Sequence, residues 1–403
     1  MPSAEGLTAK AAVVGAGPAG LLAAIALAQG GIETALIGKP SAVDHRTTAL
    51  MRASVLALET LGVWDLCREN AAPLATLRIA DATARLLRAP ETRFEAKEIG
   101  LAAFAHNIEN RHLVAAMETR VRALPLVRRI EENAQAVEAV DMPAIILDSG
   151  QRLSAQLVVG ADGARSLCRA AARIQMTARH YPQQALTFNI RHTRPHRDIS
   201  TEFHTESGPF TLVPLPGLRS SIVCVVDPAE AERLQGLDAA ALESEIESRS
   251  HSILGKVTLD PGRGSFPLSV ETATPFAARR IALVGEAAHR LPPIGAQGLN
   301  LGLRDGATIA ELAVAADRAK QDIGGPDVLS RYDAQRRADV TARTFAIDLL
   351  NRSLLSDFLP AQGARGLGLY LLNRIGPLRR GVMREGVDPA ISKPRLMRGE
   401  ALR

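Results

Sequence analysis

Aromatic residues make up only 3% of this 403-residue chain, and none interleaves with a basic stripe. The stacking platforms that single-stranded nucleic acid requires are therefore missing, and no nucleic-acid partner is expected. Cysteine is scarcer still. Cys67, Cys168 and Cys224 are far apart, odd in number and set in apolar neighbourhoods. That pattern excludes a disulfide framework and a cysteine metal site, and it fits reduced, buried thiols in the cytosol. His192, His196 and His204 lack metal-ligand spacing, so they read as packing or surface residues and no metal is expected. No apolar run approaches the ~20 residues of a membrane span. The opening MPSAEGLTAK lacks the basic region and apolar core of a signal peptide, and the expected location is cytoplasmic.

What remains is ordinary for an α/β protein, with 46% hydrophobic and 23% charged residues and enough length for two or three packed units. The net charge of +5 is unevenly placed. From Arg352 onward ten Lys/Arg face four Asp/Glu, while the rest of the chain carries 38 basic and 39 acidic residues.

The stretch that organises the chain is AAVVGAGPAGLLAAIAL, Ala11 to Leu27. Ala11–Val14 read as a buried parallel strand, and Leu21 onward has helical spacing. Between them Gly15, Gly17 and Gly20 form G-x-G-x-x-G. Gly15 permits the tight turn, Gly17 admits a pyrophosphate without a Cβ in the way, and Gly20 packs helix on strand. The phosphates would sit on the helix N-terminus. Read alone, the same residues could be no more than a glycine-rich turn.

Ile32–Ile37 follow as a second strand. It ends on Gly38 where a dinucleotide fold places an acid for the adenosine ribose, and the lost hydrogen bond should cost about 1 kcal/mol or more. Arg46, in DHRTTAL, could return to the phosphates or be a solvated loop arginine. Asn107–Met117 reads as a helix with Asn107 as a cap and Arg111 in its first turns. The strand Leu157–Val159 runs into GADGARS, so Asp162 stands at a strand's carboxyl end, aimed into a crevice or capping a turn. Ala185–Arg191, Thr201–Phe203, Phe210–Pro214 and Ser221–Val226 read as antiparallel strands, with a helix near Ala239–Ser250. A second anchor, RIALVGEAAHRLPPIGAQGLNLGLRDG from Arg280, places Glu286 at a strand end and opens a helix at about Leu299. Two helix N-termini, read as lying at opposite ends of the domain, suit a long cofactor with two electron-rich ends.

Three motifs in order, Gly15–Gly20, Asp162-Gly163 with Ser166 and Arg169, and Gly285–Gly298, resemble the class A FAD-dependent aromatic hydroxylases, which have the para-hydroxybenzoate hydroxylase fold. DHRTTAL, IENRHL, PPIGAQGLNLGLRD and the tail LNRSLLSDF with GLYLLNRIGPLRRGVMREG resemble the ubiquinone-biosynthesis branch, over nearly the whole chain. The resemblance implies an α/β fold. A Rossmann-like FAD-binding domain would comprise residues 1–73, 102–180 and 276–340. An inserted, mainly antiparallel-sheet substrate domain would comprise 74–101 and 181–275, and 341–403 would form a helical, basic amphipathic region. It assigns Gly15, Gly17 and Gly20 to the FAD pyrophosphate and gives Arg46 and Arg111 polar contacts to the cofactor. Glu286 stands where the family usually has Asp near the ribityl and pyrophosphate. Gly298, Leu299 and Asn300 lie at the flavin pyrimidine edge, and Asp162 serves FAD and the nicotinamide donor.

The implied reaction is hydroxylation of a phenolic ring with O2, FAD and NADPH or NADH, on a polyprenyl-phenol or another aromatic small molecule. No catalytic residue is identified. Tyr181, His204 and His289 carry suitable groups and read more readily as structural. In the tail, Phe345, Leu349, Leu350, Leu354 and Phe358 share a helical face, and Leu367, Tyr370, Leu371, Ile375 and Leu378 form another apolar set bordered by arginines. That arrangement suits the inner face of an anionic membrane, biosynthetic partner proteins, or a hairpin packed on the FAD domain. Three further readings stay open: a soluble hydroxylase of a small aromatic acid, its carboxylate on Arg191 or Arg219; a non-hydroxylating flavin reductase acting on prenyl chains; and a non-catalytic scaffold subunit, motivated by Gly38.

Overall fold

The structure is a computed structural model and describes residues 7–40, 44–83, 90–355, 374–387 and 393–402. Its first sheet carries parallel strands in the order Ile281–Leu283, Arg152–Gly160, Leu7–Val14, Thr34–Ile37 and Val127–Ile130. Antiparallel additions, Ala144–Leu147 and Ala134–Glu138 among them, extend it. Ala11, Ala12 and Val13 are fully buried, as expected of strands covered on both faces.

The helices are α1 (Pro18–Gln29), α2 (Arg52–Thr60), α3 (Asn110–Arg122), α4 (Leu167–Ala171), α5 (Pro228–Gly236), α6 (Ala239–Arg249), α7 (Gln297–Arg318), α8 (Pro326–Leu355) and α9 (Gly376–Val387). Among the described residues no helix is long and apolar enough to cross a membrane. Helices α1 and α7 pack against each other through small residues. A Cβ on Gly302 would lie 3.0 Å from Gly285 Cα and 3.4 Å from Ala19 Cβ, so the two helices cross in backbone contact.

The second sheet runs His289–Arg290, Val257–Thr274, Gln175–His192, Arg219–Val226, Pro209–Leu215, Ile199–His204, Thr76–Asp81, Thr92–Glu95. It is antiparallel except where Ile199–His204 meets Thr76–Asp81. One face packs under α5 and α6: Phe188, Phe203, Leu212 and Ile222 form a core with Leu234 and Ile246. Strand alternation turns the intervening residues, among them Thr187, Glu202, Thr211 and Val223, to the opposite face. That face meets the first domain through a small sheet of Thr47–Met51, Ala105–Glu109 and Ala71–Leu74. Thr47 Oγ1 donates to Ser221 Oγ (2.8 Å), and Asn189 Nδ2 to the His45 carbonyl (2.8 Å).

Three expectations are corrected. Asn107 is not a helix cap. It lies in the strand Ala105–Glu109 and its amide donates to Pro214 O (2.9 Å) and Ser221 Oγ (3.2 Å), because pairing with Thr47–Met51 outweighs the local cap signal. The boundary at 340/341 falls inside α8. Nor is the tail one unit. Met383 of α9 is buried beside Ala96 and Phe104, and Arg379 ion-pairs with Glu98 and stacks over Phe94. Leu396, Met397 and Leu402, by contrast, sit in the core of the first domain. Of the apolar tail residues, Phe345 is exposed, whereas the side chains of Leu349, Leu350 and Leu354 and all of Phe358, Leu367, Tyr370 and Leu371 lie outside the described residues.

Cys67, Cys168 and Cys224 are free and buried. Burial pushes the thiols of Cys67 and Cys224 up to about 11 and raises that of Cys168 well above its ordinary value. Mass spectrometry after brief alkylation at neutral pH should therefore find no adduct on the native protein and three after denaturation.

Candidate functional site

The strand Leu7–Val14 ends at Gly15, whose φ of +113° is open to glycine and rarely to other residues. Its N–H donates to Ile37 O (2.7 Å). A Cβ on Gly15 would overlap the Ala161 carbonyl, and one on Gly20 would overlap the Gly15 carbonyl. A Cβ on Gly17 would meet nothing within 4 Å. Two of the glycines are thus demanded by packing, and the third faces open space at the start of α1. Gly17 caps α1 without a side-chain bond, which leaves first-turn N–H groups free for an anion. Gly38, the departure from the acid, has a steric cause. A Cβ there would lie 2.9 Å from Ala16 N.

Helix α7 begins in the same way. Gly295 and Ala296 take positive φ (66° and 52°), no side chain caps the helix, and a Cβ on Gly298 would meet nothing within 4 Å. The crossing at Gly302 and Ala19 corrects the expectation of two N-termini at opposite ends. The first turn of α7 lies about 7 Å beyond the crossing, so both N-termini open on one cradle. Leu299 is half-buried in that turn. The Asn300 side chain is wholly committed. Its Oδ1 accepts from Met51 N (2.9 Å) and Ser54 Oγ (2.7 Å), and its Nδ2 donates to Ala49 O (2.8 Å) and Ala296 O (2.7 Å). Its backbone N–H belongs to the first intrahelical bond, to the cap residue Ala296, so Asn300 shapes the turn and its side chain clamps α2 to α7.

The DHRTT and ENRH segments are knitted together. Arg46 pairs with Asp44 (2.9 Å), Asn110 Nδ2 donates to Asp44 Oδ2 (3.0 Å), and the Arg111 N–H donates to Asp44 O (3.2 Å). Burial pushes the Asp44 carboxyl up, but bonds from Arg46 and Asn110 and the Arg46 charge outweigh it, for a net lowering. The bond to Asp44 raises the Arg46 guanidinium further, and the charges of Asp44 and Glu286 act in the same direction. Arg111 reaches Glu109 (3.0 Å). Asp162 turns inward, accepting from Ser166 Oγ (2.6 Å) and Cys168 N (3.0 Å), the capping role that its sequence left open.

Below the cradle lies a buried ion network that sequence reasoning missed. Asp305, on α7, accepts from Gly285 N (2.9 Å), His289 Nε2 (2.7 Å) and Arg336 Nε (2.6 Å). Asp339 accepts from Arg304 (3.0 Å), Arg336 (2.8 Å) and Arg343 (2.9 Å), and Arg343 also donates to Gln297, the first residue of α7 (2.6 Å). The one available signal was Arg336, Asp339 and Arg343 at helical spacing. Three guanidiniums against two carboxylates leave an excess positive charge beneath the first turns of α7, adding to its dipole. Burial pushes both carboxyls up. The charges of His289 and Arg336 on Asp305, and of Arg336, Arg304 and Arg343 on Asp339, more than offset that, and both end below the ordinary 3.8. Carboxyls depressed in the fold stabilise it above their unfolded value and lose that contribution as pH falls through the folded one. Urea midpoints should thus drop steadily below about pH 4, and Asp339→Asn should flatten that limb.

On the sheet face turned to the cradle, Ala185, Val225 and Leu268 pack with Tyr181, Val223 and Phe266 as an apolar floor. At one end of it Arg219 bonds Asp260 (2.6 Å) and Glu109 (3.2 Å), and Arg191 also takes Asp260 (2.9 Å). A separate cavity of about 350 Å³ among Arg78, Arg93, Arg194 and Arg197 includes Thr201 and Leu212 of the helix-covered face, so it is not part of this site.

The family described as FAD binding domain matches residues 8–345. Ubiquinone hydroxylase UbiL of Rhodospirillum rubrum is 34% identical over 406 residues, covering 97% of this chain and 92% of its own. The 3-demethoxyubiquinol 3-hydroxylase of Escherichia coli is 32% identical over 381 residues, covering 92% and 96%. Among solved structures, p-nitrophenol 4-monooxygenase PnpA from Pseudomonas putida superposes with a TM-score of 0.75 at 21% identity, covering 94% of this chain and 96% of its own. The flavin-dependent monooxygenase PieE, solved with FAD and substrate, gives 0.71 at 19%, covering 98% and 73%. Both structures speak for the fold. The family match spans most of the chain and the relatives above 30% identity span nearly all of it, so this protein belongs to the FAD-binding-domain family and is an FAD-dependent monooxygenase of the class A aromatic-hydroxylase type.

Proposed function

We propose that the protein hydroxylates the phenolic ring of a polyprenyl-phenol intermediate of ubiquinone biosynthesis, with O2 and with NADPH or NADH as donor. The observation that carries this choice of substrate is the apolar floor beside the cradle. The two arginines that a small aromatic acid would need, Arg191 and Arg219, are already held by Asp260 and Glu109. The names of the two relatives above, both hydroxylases of ubiquinone or its precursors, support the same class.

FAD held in this cradle would supply the redox chemistry between the nicotinamide donor and O2. The room at Gly17 and the open first turn of α1 fit its pyrophosphate, with Gly15 and Gly20 shaping the turn. Arg46, Arg111 and Glu286 supply polar contacts along the cofactor, and Asp162 shapes the turn beside it. The free N–H groups of Gly298 and Leu299, in the turn that Asn300 clamps and with the charge below them, would stabilise negative charge at the flavin's pyrimidine edge. The apolar loop 291–294 would serve as a wall that keeps water from the ring.

The test is a visible spectrum and a product. Flavin bands near ~370 and ~450 nm, bleached by NADPH or NADH and restored by air, are expected, together with a phenol that gains one oxygen from isotopically labelled O2. A product without label would exclude the reading.

The α9 helix and the two residues before it expose Ile375 (43%), Leu378 (47%) and Val382 (48%) among Arg374, Arg380 and Arg384. This supports docking of α9 on an anionic membrane, where a polyprenyl substrate resides. Deleting the whole tail would also remove Leu396, Met397 and Leu402 from the core, so substitutions are the cleaner probe. Leu378→Ser/Val382→Ser/Arg380→Glu/Arg384→Glu should abolish sedimentation with anionic liposomes and leave the flavin spectrum intact. Unchanged sedimentation would leave a partner enzyme as the occupant of this face.

A further inference from the structure

The site as described gives the proton of the phenol no destination. In the strand Ile199–His204, Phe203 points into the core under α5 and α6. Glu202 and His204 therefore stand on the opposite face, the one joined to the cradle side by Thr47–Ser221 and Asn189–His45. Register fixes their surroundings. Glu202 is level with Ile79 on one side and with Thr211, Val223, Thr187 and Gly264 on the other, and His204 lies between Asp81 and Pro209. One strand, that of Thr211 and Pro209, separates the pair from Val223 and Val225 of the apolar floor. The pair's first member lies one pleat, about 7 Å along the strand, from the row of Val213, Ser221 and Asn189 that touches the small sheet.

Within the pair, His204 Nε2 is 2.8 Å from Glu202 Oε1, and the side chains are 11% and 29% exposed. The second carboxylate oxygen is held by Thr211 Oγ1 at 3.5 Å. With Nε2–H donated to the carboxylate, Nδ1 carries the lone pair, and among the described residues no group donates to it. The other two basic candidates are placed differently. His289 is 2% exposed and locked onto Asp305 beneath the cradle, and Tyr181 is part of the floor.

We propose that His204 is the base that takes the phenol proton of the substrate, and that Glu202 orients it and neutralises the imidazolium that forms. The inference rests on the hydroxylase reading above. The O–H bond of the phenol breaks and its proton moves to Nδ1. The electron pair stays on the phenolate oxygen and enriches the ring carbon that will accept oxygen. After oxygen insertion the substituted ring carbon loses its hydrogen as a proton, which goes to the oxygen atom of O2 that leaves as water, while the imidazolium returns its own proton to the phenolic oxygen and so restores the neutral pair.

The test uses the FAD-loaded full chain, wild type against His204→Gln and Glu202→Gln, with retention of the flavin spectrum as the check on folding. Two phenols are compared: one protonated at the assay pH, and one acidic enough to be already ionised. A positioned base is worth roughly 100-fold or more, and part of that survives through water. His204→Gln should therefore slow the protonated phenol about 30-fold and the ionised one less than threefold, with Glu202→Gln intermediate. A chromophoric phenol bound to the wild type should show more phenolate absorption than when bound to His204→Gln. Equal losses with both phenols, or no loss with either, would overturn the assignment while leaving the hydroxylase reading intact. A wild type that is reduced by NADPH or NADH yet hydroxylates neither phenol would overturn both.

Discussion

Replacing Asp305 by alanine is expected to destabilise the fold by about 3–5 kcal/mol and to strip the protein of FAD. The carboxylate is fully buried and serves three donors at once: the Gly285 N–H, His289 and Arg336. Its removal strands the Arg336 guanidinium, 3% exposed, beside a single remaining carboxylate that two other arginines already share. The penalty is that of an uncompensated buried charge, which is much larger than the net worth of an intact pair. The damage also has a direction. Asp305 ties α7 to the Gly285 turn, and a Cβ on Gly302 would already press on the same turn, so loosening it moves the N-terminus of α7 away from α1. Denaturant unfolding and flavin retention on a desalting column would measure the two effects. Asp305→Asn keeps the shape and loses the charge, and should fall between wild type and alanine. An unchanged unfolding midpoint in Asp305→Ala would show that the network does not seat α7.

Alanine at each of the three turn glycines should separate folding from cofactor binding. Gly17→Ala adds its methyl group to open space. The apoprotein should unfold within about 0.5 kcal/mol of wild type, while FAD affinity falls more than about 100-fold, or about 2.7 kcal/mol, because the new methyl occupies the pyrophosphate's line of approach. Gly15→Ala and Gly20→Ala drive a Cβ into backbone carbonyls that cannot retreat. Each should cost the apoprotein about 1–3 kcal/mol or more before any ligand is added, with FAD loss as a consequence. Titrating FAD into each apoprotein and melting it without ligand gives both numbers. A Gly17→Ala protein that binds FAD normally would move the pyrophosphate elsewhere.

Much of the architecture was written locally. The run Ala11–Val14 followed by spaced glycines dictates strand, turn and helix because apolar periodicity and the Cβ-free turn act within a few residues. The strands near Ala185, Thr201, Phe210 and Ser221 were legible for the same reason and appear in Gln175–His192, Ile199–His204, Pro209–Leu215 and Arg219–Val226. Their local patterns hold when the sheet assembles. Asn107 shows the limit. Its cap-like character was real, but the cross-strand partners at positions 47–51 lie too far along the chain for a local pattern to register.

The site itself was settled by contacts between distant segments. Sequence placed Asn300 at the flavin edge, but only the approach of residues 49–54 consumes its whole side chain. Asp305, Arg336 and Asp339 looked like helix-surface charges until α7 and α8 packed together. The cost of burying charge then forced each to find a partner. The sequence by itself determined the glycine turn, the parallel strands and the family. Only the tertiary structure decided which glycine is free to meet a ligand, that the two helix N-termini share one cradle, and that Glu202 and His204 pair on the sheet face away from α5 and α6. Periodicity and backbone sterics act along the chain, whereas desolvation, charge pairing and shared space are properties of residues that meet only after folding.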